Sequence, residues 1–419
     1  MNRIIILITV LFSQISYGLS IHCGKLLDVN TGKIQSNMFL EINNGLFTKI
    51  EKYKSQTAEL DLSKQYCLPG LIDMHTHLSF EVSKKSYSDK FQLNEADYAF
   101  QSALYAHRTL KAGFTTVRDL GDVFNVTIAL KNAISKGITQ GPRIYTAGKS
   151  IATTGGHADP TNGYRQGLLP NPGPKNGVVN GVSEAAQAVR QRYQDGADLI
   201  KITATGGVLS QAASGDNAQF NADELNSIIS TANDYGFKVT AHAHGKEGMK
   251  RAIVAGVSSI EHGTYSDSEI IKLMKKHGTY LVPTLIAGEW VTEKSKVNGF
   301  FPDVVAKKAA TIGPIIAKSF EKAHKAGVNI AFGTDSGVSA HGDNGKEFLL
   351  MVKAGMSELD AVQAATIHAA TLLGQIENLG SIEPGKYADL IAVSDNPLKN
   401  IQTLESVNLV IKDGKVEFE

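Results

Sequence analysis

"LPGLIDMHTHL", residues 68–78, is an apolar run that ends in two histidines one residue apart. Leu71 to Met74 reads as a buried strand. Side chains alternate across a strand, so His75 and His77 share one face. Two imidazoles on one face of such a strand are hard to satisfy with ordinary hydrogen bonds. Two readings are open at this point: core histidines bonded to backbone, or the beginning of a metal site. The rest of the chain decides between them.

The stretch opens an alternation of strands and helices that runs from about residue 68 to 380. "LIDMHTHL" is followed by "FTTVRDLGD", "RIYTAGKSI", "ADLIKITATGG", "KVTAHAHG", "VSSIEHG", "TYLVPTL" and "VNIAFGTDSG". Helix-patterned stretches separate most of them, such as "NADELNSIISTANDYG", where Asn221 and Glu224 form a capping-box pair. Eight strand–helix alternations predict a parallel sheet closed into a (β/α)8 TIM barrel over residues 68–380. The open doubly wound sheet is the alternative. It would show a glycine-rich dinucleotide or phosphate loop, and neither G-x-G-x-x-G nor Walker A is present.

Both flanks read differently. Residues 19–67 and 381–419 hold short β-rich segments broken by Asn-Thr-Gly, Asn-Asn-Gly and Asp413-Gly414 turns. They are expected to meet as one small β-sandwich domain, with the barrel inserted between them. The α/β class follows.

Net charge is +1, so no basic excess points to nucleic acid. At the N-terminus, Arg3 precedes an apolar run from Ile4 to Phe12, then Ser16-Tyr17-Gly18. This is the pattern of a cleaved secretory signal over residues 1–18, too short for a membrane span. An exported protein, in a bacterial periplasm, is expected. Cys23 and Cys67 are the only cysteines. Two make no disulfide framework, and small buried hydrophobes are the favoured reading over a pair.

Barrel active sites lie at the C-terminal ends of the strands. Those ends carry His75 and His77, Lys201, His242 and His244, His262 and Asp335. Read singly, several have ordinary explanations. A histidine can bond to backbone, and Asp335 can cap a turn. Together, on strands one, five, six and eight, the imidazoles and carboxylate make a metal site the better reading. Lys201 in "DLIKIT" is costly as a bare ammonium. It could be a neutral amine or Schiff-base nucleophile, a lysine snorkelling at the rim, or a carbamate formed with carbon dioxide. Beside four histidines and an aspartate the carbamate fits best, because its two oxygens can hold two cations together. Two such cations share a hydroxide, which suits hydrolysis of a carbonyl or phosphoryl centre.

In this strand order the residues resemble the amidohydrolase superfamily, binuclear branch. "LPGLIDMHTHL" and "GSIEPGKYADLIAV" are typical of it. "GFTTVRDLG", "GPRIYTAGKSI", "GGHAD", "KITATGGVLS" and "AHAHGKEGMKRAIVAGVSSIEHGT" are similar to its imidazolonepropionase-related group. That group includes exported dipeptidases acting on Xaa-Pro or on Xaa-Arg and Xaa-Lys, and the likeness is strongest to the zinc-dependent arginine carboxypeptidase type. The resemblance implies two Zn2+ ions: one on His75, His77 and Asp335, the other on His242 and His262, with carboxylated Lys201 between. It implies that Asp335 passes a proton from the bridging hydroxide to the leaving amine of a dipeptide ending in Arg or Lys. His157 and His244 are expected to touch substrate. Glu289, or Asp216, is the expected partner for a basic side chain. Xaa-Pro cleavage is the alternative, followed by lactonase or organophosphate chemistry on the same centre. A homo-oligomer acting on small peptides is expected. A solute-binding protein without catalysis and a metal-free Schiff-base lyase are the rivals from other classes.

Overall fold

The computed structural model describes residues 18–212 and 215–419. The expected leader lies outside them apart from Gly18. The N-terminal flank forms β1 (Gly18–Asp28), β2 (Lys33–Asn43), β3 (Leu46–Lys52) and β4 (Leu60–Pro69). The middle supplies β5 (Leu71–Thr76), β6 (Phe114–Asp119), β7 (Arg143–Thr146), β8 (Ala152–Thr153), β9 (Val178–Val179), β10 (Ile200–Thr203), β11 (Val239–Ala243), β12 (Ser259–His262) and β13 (Tyr280–Val282). The C-terminal flank adds β14 (Leu390–Val393), β15 (Leu409–Lys412) and β16 (Lys415–Phe418).

The two flanks do meet. By hydrogen bonding they form one mixed seven-stranded sheet, in the order β16-β15-β14-β4-β1-β2-β3, where two facing layers were expected. The reason is β4, which pairs parallel with β1 on one side and antiparallel with β14 on the other. Its apolar side gathers Ile21, Leu40, Phe47, Leu62, Leu390 and Ile411. Cys23 and Cys67 are not separate buried thiols. They lie on the paired strands β1 and β4, Cα atoms 6.3 Å apart, and are joined as a disulfide. The register shifts just after Cys23, where Gly24 lets the backbone pass Ser63: an added Cβ would lie 1.9 Å from its carbonyl oxygen.

The middle is a parallel β/α array. β5-β6-β7 and β10-β11-β12-β13 are two parallel sheets, with helices between successive strands. Leu71, Val117, Ile144, Ile200, Ile260, Leu281 and Phe332 share one core with the helix faces. Ile151 bridges in parallel to Ile202, and the Asp198 amide donates to the Thr146 carbonyl at 2.8 Å. The expected eighth strand is an irregular stretch tied to both neighbours. The Ala331 amide donates to Leu281 O, and the Met74 amide to Phe332 O. Only isolated bridges, Ile330 to Leu281 and Ser336 to Thr76, mark its two ends, and between them Asp335 takes a left-handed conformation, φ 58°. Among the described residues no helix is long and apolar enough to cross a membrane.

Candidate metal centre

Every residue of β5 is buried, and the strand delivers His75 and His77 beside the turn that carries Asp335. The Asp335 amide donates to the His75 carbonyl at 2.7 Å. Asp335 Oδ1 lies 3.3 Å from His75 Nε2 and 3.2 Å from His77 Nε2, and the two Nε2 atoms are 3.4 Å apart. The outer ring nitrogens are committed elsewhere. His75 Nδ1 is 2.9 Å from Glu261 Oε2, and His77 Nδ1 is 3.1 Å from the Gly121 carbonyl. With protons on the outer nitrogens, both Nε2 lone pairs converge with a carboxylate oxygen. That donor set fits a divalent cation.

Small residues permit this convergence. A Cβ on Gly333 would lie 2.3 Å from Val282 Cγ1, and one on Gly337 would lie 2.7 Å from His77 Cβ. Behind the ligand atoms, the buried Asp73 carboxylate accepts from the His75 and Thr334 amides, the Thr334 hydroxyl and Asn344 Nδ2. It thereby ties β5 to the turn of Asp335.

A second group sits alongside: one nitrogen from each of His242, His244 and His262, all within 4.8 Å of one another. Here too the second ring nitrogen has a partner. His242 Nε2 is 3.0 Å from the Gly206 carbonyl, His244 Nδ1 is 2.7 Å from Thr264 Oγ1, and His262 Nδ1 is 2.7 Å from Thr284 Oγ1. The His75 and His262 rings are 5.1 Å apart, so the two groups are neighbours.

Burial keeps these imidazoles neutral. It pushes His75 and His244 down to about 4 and His242 and His262 well below the usual histidine range. His77 goes the other way: burial opposes, but the Asp335 carboxylate raises it. Lys201 is buried on β10, and that burial pushes its ammonium down to about 8, against the pull of Glu261 and Asp335. Its charge is felt by both histidine groups.

His157 also reaches the site. Its ring stacks on His242 at 4.3 Å, and its Nδ1 is buried with no hydrogen-bond partner. Gly207 makes room for it, since a Cβ there would meet the His157 ring at 2.1 Å. Glu289 is exposed on the helix Leu285–Lys294 and is not part of either group. Asp216 is exposed, and its charge reaches His244 and Tyr265. It lines a cavity of about 620 Å³ with Gly245, Lys246 and Tyr265.

Several supporting residues escaped the sequence reading. Glu261 accepts from Arg118 Nη2 at 2.9 Å, from Ser259 Oγ at 2.6 Å and from the Thr240 hydroxyl. Burial opposes its ionisation, but Arg118 and His75 hold it below the usual carboxylate range. Arg118 Nε in turn donates to the Met74 carbonyl at 2.7 Å. The available signal was a charge inside an apolar strand, in "TTVRD" and "SSIEHG".

Residues 66–416 match the pattern of the amidohydrolase family. Ochratoxinase of Aspergillus niger is 32% identical over 388 residues, spanning 86% of this chain and 79% of that protein. Among solved structures, a Xaa-Pro dipeptidase with methionine bound in its active site is 50% identical, with a TM-score of 0.93 over 96% of this chain and 100% of that one. A prolidase complexed with N-methylphosphonate-L-proline is 28% identical, with a TM-score of 0.88 over 96% and 100% of the two chains. With a family match across most of its length and the histidine groups at its strand ends, this chain belongs to the amidohydrolase family.

Proposed function

We propose that this protein is an exported metal-dependent dipeptidase that cleaves Xaa-Pro. One observation carries the reading: the Nε2 atoms of His75 and His77 and Oδ1 of Asp335 lie 3.2–3.4 Å apart, next to a second histidine group. In this reading 68–380 is a closed (β/α)8 barrel and 19–67 with 381–419 is the accompanying β domain. The seams at Ile151–Ile202, Leu281–Ile330 and Thr76–Ser336 support closure.

His75, His77 and Asp335 would hold one zinc ion, and His242 and His262 the other. Lys201 would join them as a carbamate; a lysine pushed to about 8 has the neutral-amine fraction that reaction with carbon dioxide requires. When bound, such cations lower the pKa of water and polarise a carbonyl. Asp335 takes the proton of the attacking water and hands it to the leaving amine. Glu261 and the Gly121 carbonyl hold the ring protons of His75 and His77 away from the site. His157 and His244 border the same space and would orient the substrate.

Proline is favoured over a basic C-terminal residue by the 50% identical dipeptidase. A preference for C-terminal Arg or Lys is the second reading, supported by the Asp216 charge that reaches His244. The Cys23–Cys67 disulfide supports export, since such bonds persist in oxidising compartments.

The test is zinc-loaded protein against dipeptides varied at the C-terminal residue, with Lys201→Ala alongside. Cleavage of Xaa-Pro, lost in the variant, is expected. Activity confined to Arg and Lys would select the second reading. No cleavage of any dipeptide would sink the peptidase assignment.

A further inference from the structure

The helix Leu285–Lys294 begins in an unusual way. Thr284 occupies its N-cap but makes no capping bond. Its hydroxyl is turned instead to His262 Nδ1, 2.7 Å away. Thr284 has φ 53°, a left-handed conformation that a β-branched residue rarely adopts, and His262 has φ 70°. Such strain costs about 1–3 kcal/mol per residue and persists only where the surroundings impose it. The first amides of the helix therefore need another acceptor.

Glu347 supplies it from the helix Lys346–Lys353, 62 residues downstream of Leu285. Its Oε1 accepts from the Leu285 amide at 2.8 Å and its Oε2 from the Ile286 amide at 2.6 Å. Glu347 is fully buried. It does the capping that Thr284 would ordinarily do, and so frees the threonine hydroxyl for the histidine.

We propose that Glu347 is a positioning residue for the cation held by His242 and His262: by capping residues 285–286 it keeps Thr284 turned toward His262, and Thr284 fixes that imidazole's ring orientation and tautomer. This rests on the metal reading above. Outer partners of ligating histidines typically change metal affinity by about 10–100-fold.

The test loads the full chain with cobalt(II) or zinc and follows chelator-driven release of each cation, with the visible spectrum of the cobalt form. In Glu347→Ala and Thr284→Val, one of two cations is expected to leave about 10–100-fold more readily. The cation on His75, His77 and Asp335 serves as the internal control, and Thr284→Ser is expected to restore wild-type release. A role in stability alone would lower the unfolding midpoint and leave release and spectrum unchanged, which overturns the proposal. Should the alanine variant not fold, Glu347→Asp withdraws the acid by one methylene, and unchanged release there overturns it equally. Wild-type protein that takes up no cation would sink the metal reading itself. Two cations held with equal tenacity in wild type and variants would sink only the role of Glu347.

Discussion

His75 Nδ1 lies 2.9 Å from Glu261 Oε2, a contact across 186 residues of sequence between two almost fully buried side chains. Glu261 also faces Arg118, so a guanidinium, a carboxylate and an imidazole form one buried chain. Removing one partner of a buried pair leaves the other uncompensated, at about 3–5 kcal/mol. Arg118→Met should lower the unfolding free energy by about that much. Adding Glu261→Gln should recover part of the loss, because the two sites share one network. Urea unfolding of both single variants and the double variant checks this, and strict additivity would contradict it.

On the proposed two-zinc reading with Lys201 as the bridge, Lys201→Ala should reduce bound zinc below two equivalents per chain and lower kcat by more than about 100-fold, since a bridging ligand would matter at least as much as an outer partner. Native mass spectrometry should find carbon dioxide on the wild type, lost on acidification. Two full zinc equivalents in the variant would remove Lys201 from the site.

Gly207→Ala should press on the His157 ring, which a Cβ would approach to 2.1 Å. If His157 orients the substrate as proposed, its displacement would cost about 10²-fold. The expected effect is on kcat/KM, with bound zinc unchanged. Steady-state kinetics beside zinc content separates this from general damage.

The disulfide closes a loop between residues separated by 44 positions. In the chain-entropy account this stabilises by about 4 kcal/mol. Cys67→Ser, or reductant on the wild type, should lower the thermal midpoint, while Cys67→Ser with reductant adds nothing further. An unchanged midpoint would contradict the link.

Asp413 joins the end sheet to β7 through Arg143. Burial pushes its carboxyl up, but Arg143 and then Lys412 outweigh it and hold it below its ordinary 3.8. A depressed acid stabilises the fold above its unfolded pKa and loses that contribution as pH falls through the folded one. Stability should therefore decline on acidification below about pH 4. Asp413→Asn should flatten that decline and cost at most about 1 kcal/mol at neutral pH, because the group is partly exposed. Denaturation midpoints from pH 2 to 7 in both proteins give the comparison.

The sequence by itself determined the order of elements and the polar residues at the strand ends. Period-2 apolar runs and caps such as Asn221 with Glu224 are local signals, and that capping box forms as expected. His75, His77, Lys201, His242, His262 and Asp335 could be singled out because polar side chains at the ends of apolar strands are costly without a purpose. Only the tertiary structure decided which of them meet and what holds them. Cys23 with Cys67, Glu261 with Arg118 and His75, and Glu347 with the helix after Thr284 are pairings between distant segments. The left-handed conformation of Thr284 is likewise imposed from outside, because a β-branched residue has no local preference for it, whereas Asp335 and His262 are of types that enter that region more readily. Strand pairing and side-chain packing set such contacts, and a single stretch of chain carries no record of what will lie across from it.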